Sequence, residues 1–158
     1  TPHHLLGGMN GLLKVFPGVP LVMTHRDVGQ VLPSYCSMCA SMSLGASMTY
    51  RREVQGAHWT SRFRTGLERF EAWRKTLPQG RIVDVRYEDT VADPVGTAGR
   101  VMQSIGLGFD DADRAAMEAC IAANARENRP RHKYSAEEFG LTRAGIAADF
   151  AFYHDRYL

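Results

Sequence analysis

Apolar residues along this chain fall into blocks whose spacing switches between helical and strand-like. Leu5, Leu6, Met9, Leu12, Leu13 and Phe16 lie at helical spacing within residues 4–16, which predicts an amphipathic helix with that face in the core. Pro17-Gly18 punctuates its end. Leu21, Val22 and Met23 then form a short continuous apolar run, the pattern of an inner parallel strand. Thr24, His25 and Arg26 close it with polar groups. Asp27 is an N-cap residue type, and a second helix is expected from it, with Tyr35, Met38, Met42 and Leu44 as its packing face and Gly45 as its stop. Pro33 lies inside that helix, removes a backbone donor and predicts a kink.

Residues 46–61 have weak periodicity. Residues 62–77 predict an amphipathic helix with Phe63, Leu67, Phe70, Trp73 and Leu77 on one face. Arg62, Arg64, Glu68, Arg69, Glu71 and Lys75 lie mostly elsewhere, with Glu71 and Lys75 spaced as a favourable i,i+4 pair. Pro78-Gln79-Gly80 ends it. Ile82, Val83 and Val85 begin a second strand that leads to Tyr87-Glu88-Asp89. The two acids are expected to fix loops or pair with arginines. Asp93-Pro94 is a cap followed by proline at the first helical position. Val95, Ala98, Val101, Met102 and Ile105 supply the apolar face of that helix, and Gly106 its C-terminal stop. A helix from Asp110 is expected to turn Ala116, Met117, Cys120 and Ile121 inward. Ser135 and Glu138 have capping-box spacing. Thr142 caps a last helix whose core face is Ile146, Phe150, Tyr153 and Tyr157.

Composition adds bounds. The chain has 158 residues, 44% hydrophobic and 23% charged, so a single globular domain over 1–158 is expected, not disorder. A net charge of +2 is too small to mark a nucleic-acid surface. The basic run Arg126, Arg129, Arg131, Lys133 lacks the aromatic interleaving of a nucleic-acid binder, and a charge run is usually a solvated face. No apolar stretch is long enough to span a membrane. Cys36-Ser37-Met38-Cys39 has CxxC spacing, but no second CxxC accompanies it. The pair reads as small packing residues in a reducing, cytoplasmic protein.

The candidate chemistry sits in PLVMTHRDVGQVLPS, residues 20–34. Ser34 follows Arg26 by eight residues, about two helical turns into the helix. In open α/β sheets ligands bind outside the carboxyl ends of strands. An arginine there, with a hydroxyl nearby, suits an anion such as phosphate. The residues alone leave open a structural Arg–Asp pair and an ordinary helical serine. THRDVGQVLPSY nevertheless resembles the strand–helix segment of sulfotransferases that use 3′-phosphoadenosine 5′-phosphosulfate (PAPS). Three further segments resemble that family in the same order: the lead-in TPHHLLGGMNGLLKVFPGVPLV, the strand RIVDVRYEDTVADP (81–94), and HKYSAEEFGL (132–141) of many bacterial members.

The resemblance implies an α/β, P-loop NTPase-like sulfotransferase fold, a parallel sheet flanked by helices. No glycine-rich loop followed by Lys-Ser or Lys-Thr occurs here, so the family's first strand and phosphosulfate loop are expected to be missing and the chain to be truncated at its N-terminus. The implied activity is sulfuryl transfer from PAPS to an acceptor hydroxyl or amine, without a metal. The implied roles are His4 as general base, in preference to His3, Arg26 and Ser34 on the 3′-phosphate, and Tyr87 at the adenine. The resemblance also implies that the segment over residues 46–61 helps shape the acceptor pocket, with Tyr50, His58 and Trp59 as candidates beside surface or core roles, and the acceptor class stays open among small molecules such as phenols, lipids, carbohydrates and peptides, as does a homo-oligomer. The rival readings are a non-catalytic nucleotide-binding or oligomerising fragment and a P-loop small-molecule kinase.

Overall fold

The computed structural model describes residues 7–43, 51–124 and 134–158. The chain divides into two compact units. One holds Pro20–His25 and Gln79–His132, the other Thr1–Val19, Arg26–Pro78 and Lys133–Leu158.

In the first unit, β1 (Leu21–His25) and β2 (Ile82–Arg86) run parallel, in register from Leu21 opposite Ile82 to His25 opposite Arg86. They are the whole sheet among the described residues. The expectation of an inner strand holds for one face only. Leu21, Met23 and His25 point to the covered side, whereas Val22 and Thr24 are exposed. A parallel strand is apolar throughout only where both faces are packed, and here the described residues cover one. On that covered face the fully buried His25 ring places Nε2 2.7 Å from Asp84 Oδ1, which satisfies a polar group that would be costly to bury alone.

β2 leads directly into α4, numbered in chain order (Tyr87–Ala92), and then α5 (Pro94–Ser104). Asp93 caps α5 by accepting the Gly96 N–H at 2.8 Å. Its end is a Schellman turn. Gly106 has φ +76°, the Gly106 N–H donates to Gln103 O, and the Leu107 N–H donates to Met102 O. Val95, Thr97 and Gly99 are the buried positions of α5, the other residues of the expected face (Ala98, Val101, Met102 and Ile105) are half-buried, and the Phe109 ring packs against Gly99. Glu88 lies 4.0 Å from Arg86, an exposed pair. α6 (Asp111–Asn124) begins where the Asp110 carboxylate accepts two backbone N–H groups. The inward face expected for it is not observed. No residue of α6 is buried, and Ile121 and Cys120 are exposed, since an apolar stripe is buried only where another element covers it.

The other unit is helical. It contains α1 (Met9–Val15), α2 (Val28–Ser43), α3 (Arg52–Arg74), a single 3₁₀ turn (Glu137–Phe139), α7 (Arg143–Asp149) and α8 (Ala151–Tyr157). α1 is tied by Trp73 Nε1–H donating to Asn10, yet Leu12 and Phe16 are exposed, so the predicted core face is only partly covered by described residues. α2 buries Val28, Leu32, Pro33, Cys36, Cys39 and Ala40. Pro33 is accommodated inside this helix. Met38 and Met42, expected on the packing face, are exposed instead.

α3 starts ten residues before the expected boundary, at Arg52 rather than Arg62. Its first half contacts the 3₁₀ turn through Gly56. A Cβ at Gly56 would lie 2.0 Å from the Phe139 carbonyl oxygen. The contact therefore depends on a missing side chain and leaves no apolar periodicity in the sequence. Further along, Phe63, Leu67 and Phe70 are buried as expected. Glu71 is buried too, and its carboxylate accepts a hydrogen bond from the Tyr157 hydroxyl and lies 2.9 Å from Arg156. It is thus engaged by α8 rather than acting as a solvated partner of Lys75. Ser135 and Glu138 exchange the two bonds of the capping box, at 3.2 and 3.3 Å. The Thr142 hydroxyl accepts the Gly145 N–H at 3.1 Å. The expected last helix is two helices that break at Phe150, while Ile146, Phe150 and Tyr153 are buried as predicted. Among the described residues no helix is long and apolar enough to cross a membrane.

Candidate functional site

Arg26 leaves the strand just before α2, and Asp27 caps that helix by accepting the Gly29 N–H at 2.7 Å. The Arg26 guanidinium reaches one turn on and donates to Gln30 Oε1 at 3.1 Å. Gln30 and Ser34 are i,i+4 neighbours on α2. Arg26, Gln30 and Ser34 thus form a row along the start of the helix. Ser34 is half-buried, and its hydroxyl has no hydrogen-bond partner among the described residues. Other helical hydroxyls bond back to a carbonyl one turn earlier, as Ser41 does to Ser37 and Thr60 to Gly56. The row therefore offers a cation and an available hydroxyl with a neutral amide between them.

A cavity of about 450 Å³ lies beside this row, lined by Asp27, Gly29, Gln30, Arg143, Ile146 and His154. His154 Nε2 sits 2.9 Å from Asp27 Oδ1, so the capping carboxylate is turned toward the helix N-terminus and the imidazole. Gln30, Arg143 and His154 were not legible as site residues. Arg143 and His154 lie more than 110 positions from Gln30 in the chain, and nothing in their local pattern sets them apart.

Tyr87 is the first residue of α4, 40% exposed, in the unit that holds the strands. His3, His4, Tyr50 and residues 126–133 lie outside the described residues. His58 and Trp59 stand edge to face, ring centres 5.0 Å apart. Cys36 and Cys39 are free and buried. Burial, with the neighbouring Cys39, pushes the Cys36 thiol up to about 11, so these thiols pack rather than react. Among the described residues no group of three or more His, Cys, Asp or Glu side chains is placed to hold a metal ion.

The model of the sulfotransferase family matches residues 1–111. Among solved structures, the sulfotransferase STF1 from Mycobacterium tuberculosis superposes with a TM-score of 0.79 at 31% identity, over 96% of this chain and 38% of its own. The sulfotransferase STF9 from Mycobacterium avium superposes with a TM-score of 0.85 at 23% identity, over 98% of this chain and 40% of its own. The fold is therefore the α/β, P-loop-like fold of those enzymes, and this chain spans about two-fifths of their length. No curated protein matches it.

Proposed function

Because this chain belongs to the sulfotransferase family, we propose that it carries the nucleotide-phosphate part of a sulfuryl-transfer site whose donor is PAPS. The observation that carries the reading is the row at the head of α2, with Arg26 bonded to Gln30 and the Ser34 hydroxyl available one turn on. A 3′-phosphate fits it chemically. The Gln30 amide oxygen is a neutral acceptor, whereas a phosphate offers the guanidinium a full counter-charge and two oxygens for a bidentate pair. Exchange of Gln30 for phosphate is therefore favourable, and Ser34 supplies a second donor.

PAPS supplies the activated sulfuryl group with 3′-phosphoadenosine 5′-phosphate as leaving group. The chain's own residues bind and move a proton. Arg26 and Ser34 hold the 3′-phosphate. On the family resemblance, Tyr87 meets the adenine, and His4 accepts the acceptor's proton as its oxygen or nitrogen bonds to sulfur. A histidine suits that task because its pKa lies near working pH.

Calorimetric titration with 3′-phosphoadenosine 5′-phosphate, with AMP as the comparison, tests the reading. The 3′-phosphorylated nucleotide is expected to bind at least tenfold tighter. Arg26→Ala is expected to remove about 1.5–3 kcal/mol of that binding, the worth of a hydrogen bond to a charged group. Equal affinity for both nucleotides, or an Arg26→Ala variant that binds as the parent does, refutes it.

A further inference from the structure

We propose that His154 is a positioning residue for nucleotide binding. It holds the Asp27 carboxylate away from Arg26, so that the guanidinium can exchange Gln30 for a 3′-phosphate. This role rests on the donor reading above, and it is exerted from α8, near the other end of the chain.

Arg26 and Asp27 adjoin in the chain, and an ion pair between them is the alternative that the residue types leave open. The carboxylate is committed elsewhere. Asp27 Oδ1 accepts the Gly29 N–H at 2.7 Å and lies 2.9 Å from His154 Nε2, while the Arg26 guanidinium donates to Gln30 Oε1. A carboxylate only accepts, so the contact assigns the proton to Nε2. The neutral imidazole in that tautomer and the imidazolium both supply it. Gly29 helps by lacking a side chain. A Cβ there would lie 3.1 Å from Asp27 Oδ1 and 3.3 Å from Oδ2, and would crowd the carboxylate out of the position in which His154 meets it.

Both ends of this contact are anchored. α2 is held by buried Val28 and Leu32, and α7 packs against it. His154 stands beside buried Tyr153, and its backbone N–H donates to the carbonyl of buried Phe150 at 3.0 Å. The imidazole therefore meets Asp27 from a fixed position. The side chain itself is 38% exposed, and a polar pair at that exposure adds little to the stability of the fold. Its effect is on direction, not on stability.

Without the imidazole, Asp27 keeps the Gly29 N–H and loses its second donor, and the adjoining cation is Arg26. A phosphate arriving at Arg26 would then displace a full negative charge instead of an amide oxygen, and would meet that charge at close range. His154 also lines the 450 Å³ cavity together with Arg143, so a ligand there could touch the ring itself. The two routes differ in one respect. Direct contact does not pass through Asp27, whereas positioning does.

The test is calorimetry on the full chain with 3′-phosphoadenosine 5′-phosphate and with AMP, for the parent, His154→Ala, His154→Gln, Asp27→Asn and the double variant Asp27→Asn/His154→Ala. Glutamine supplies an uncharged N–H in place of Nε2–H, and asparagine caps a helix as well as aspartate does. Circular dichroism checks that each variant folds, and His154→Leu, which keeps apolar bulk without the donor, replaces alanine if alanine does not. His154→Ala is expected to weaken 3′-phosphoadenosine 5′-phosphate about fivefold or more, the size of coupling between neighbouring groups, and to leave AMP within about twofold. His154→Gln is expected to bind within about twofold of the parent. In the Asp27→Asn background, His154→Ala is expected to change affinity by less than about twofold, because no carboxylate remains to be held. An alanine variant that binds as the parent does, an equal loss for AMP, a glutamine variant as weak as alanine, or a loss that persists beside Asp27→Asn each overturns the positioning role. A parent that binds both nucleotides equally refutes the donor reading and this role with it. A parent that prefers the 3′-phosphorylated nucleotide, followed by any of those variant results, overturns this role and leaves the donor reading standing.

Discussion

Replacing Glu71 with alanine is expected to cost the fold about 2–3 kcal/mol. Glu71 is a buried carboxylate in the middle of a helical face otherwise made of Phe63, Leu67 and Phe70. It accepts the Tyr157 hydroxyl, and Arg156 Nη1 lies 2.9 Å from its other oxygen. Arg74 donates to the same Tyr157 hydroxyl at 3.4 Å. The cluster therefore ties the C-terminal helix to α3 across 86 positions of sequence. A hydrogen bond to a charged acceptor contributes about 1.5–3 kcal/mol, and loss of a buried methylene adds about 0.8. The Arg156 pair adds no more than about 1 kcal/mol, because the arginine side chain is 45% exposed. Recovery of the buried carboxylate's desolvation cost offsets part of the sum, which leaves about 2–3 kcal/mol. Glu71→Gln keeps the shape and an acceptor and is expected to cost about 1 kcal/mol. Urea unfolding followed by circular dichroism measures both. For a chain of this size the alanine variant corresponds to a Tm lower by about 5–10 °C. An alanine variant within about 0.5 kcal/mol of the parent, the range of ordinary surface changes, would refute the assignment of this cluster as a structural tie.

Two further outcomes follow from local geometry. Burial, reinforced by the Glu71 carboxylate, pushes the Tyr157 hydroxyl from its ordinary 10.0 up to about 12. The folded state thus holds this proton more tightly than the unfolded chain does. Its contribution to stability is complete below pH 10 and is lost as pH rises through about 12. Denaturation midpoints between pH 9 and 12 should fall more steeply in the parent than in Tyr157→Phe, and parallel curves would refute this. At Gly56, a methyl group would lie 2.0 Å from the Phe139 carbonyl oxygen. Gly56→Ala is therefore expected to destabilise by about 1–3 kcal/mol through overpacking, despite alanine's gain in helix propensity of about 1. A neutral or stabilising result in urea unfolding would show that the 3₁₀ turn yields without cost.

Local chemistry was legible in the sequence wherever one residue type solves one backbone problem. The Asp27, Asp93 and Thr142 caps, the glycine stop at Gly106 and the Ser135–Glu138 box all lie where the chain itself places them, because capping bonds reach only two or three residues. The two strands and the long α3 face were legible for the same reason, since their periods are properties of the backbone. The row of Arg26 and Ser34 was legible because strand end and helix start adjoin in sequence. Other features only the tertiary structure decided. Burial of Glu71 depends on a tyrosine and an arginine near the other end of the chain. The early start of α3 depends on the absence of a side chain at Gly56, which no hydrophobic pattern records. The exposure of Met38, Met42 and α6 depends on which surfaces find a partner, and amphipathicity states that a face seeks cover without saying that any element supplies it. Gln30, Arg143 and His154 meet at one cavity because helices far apart in sequence pack together there. Sequence thus determined the local bonds, and packing decided which side chains became core, surface or site.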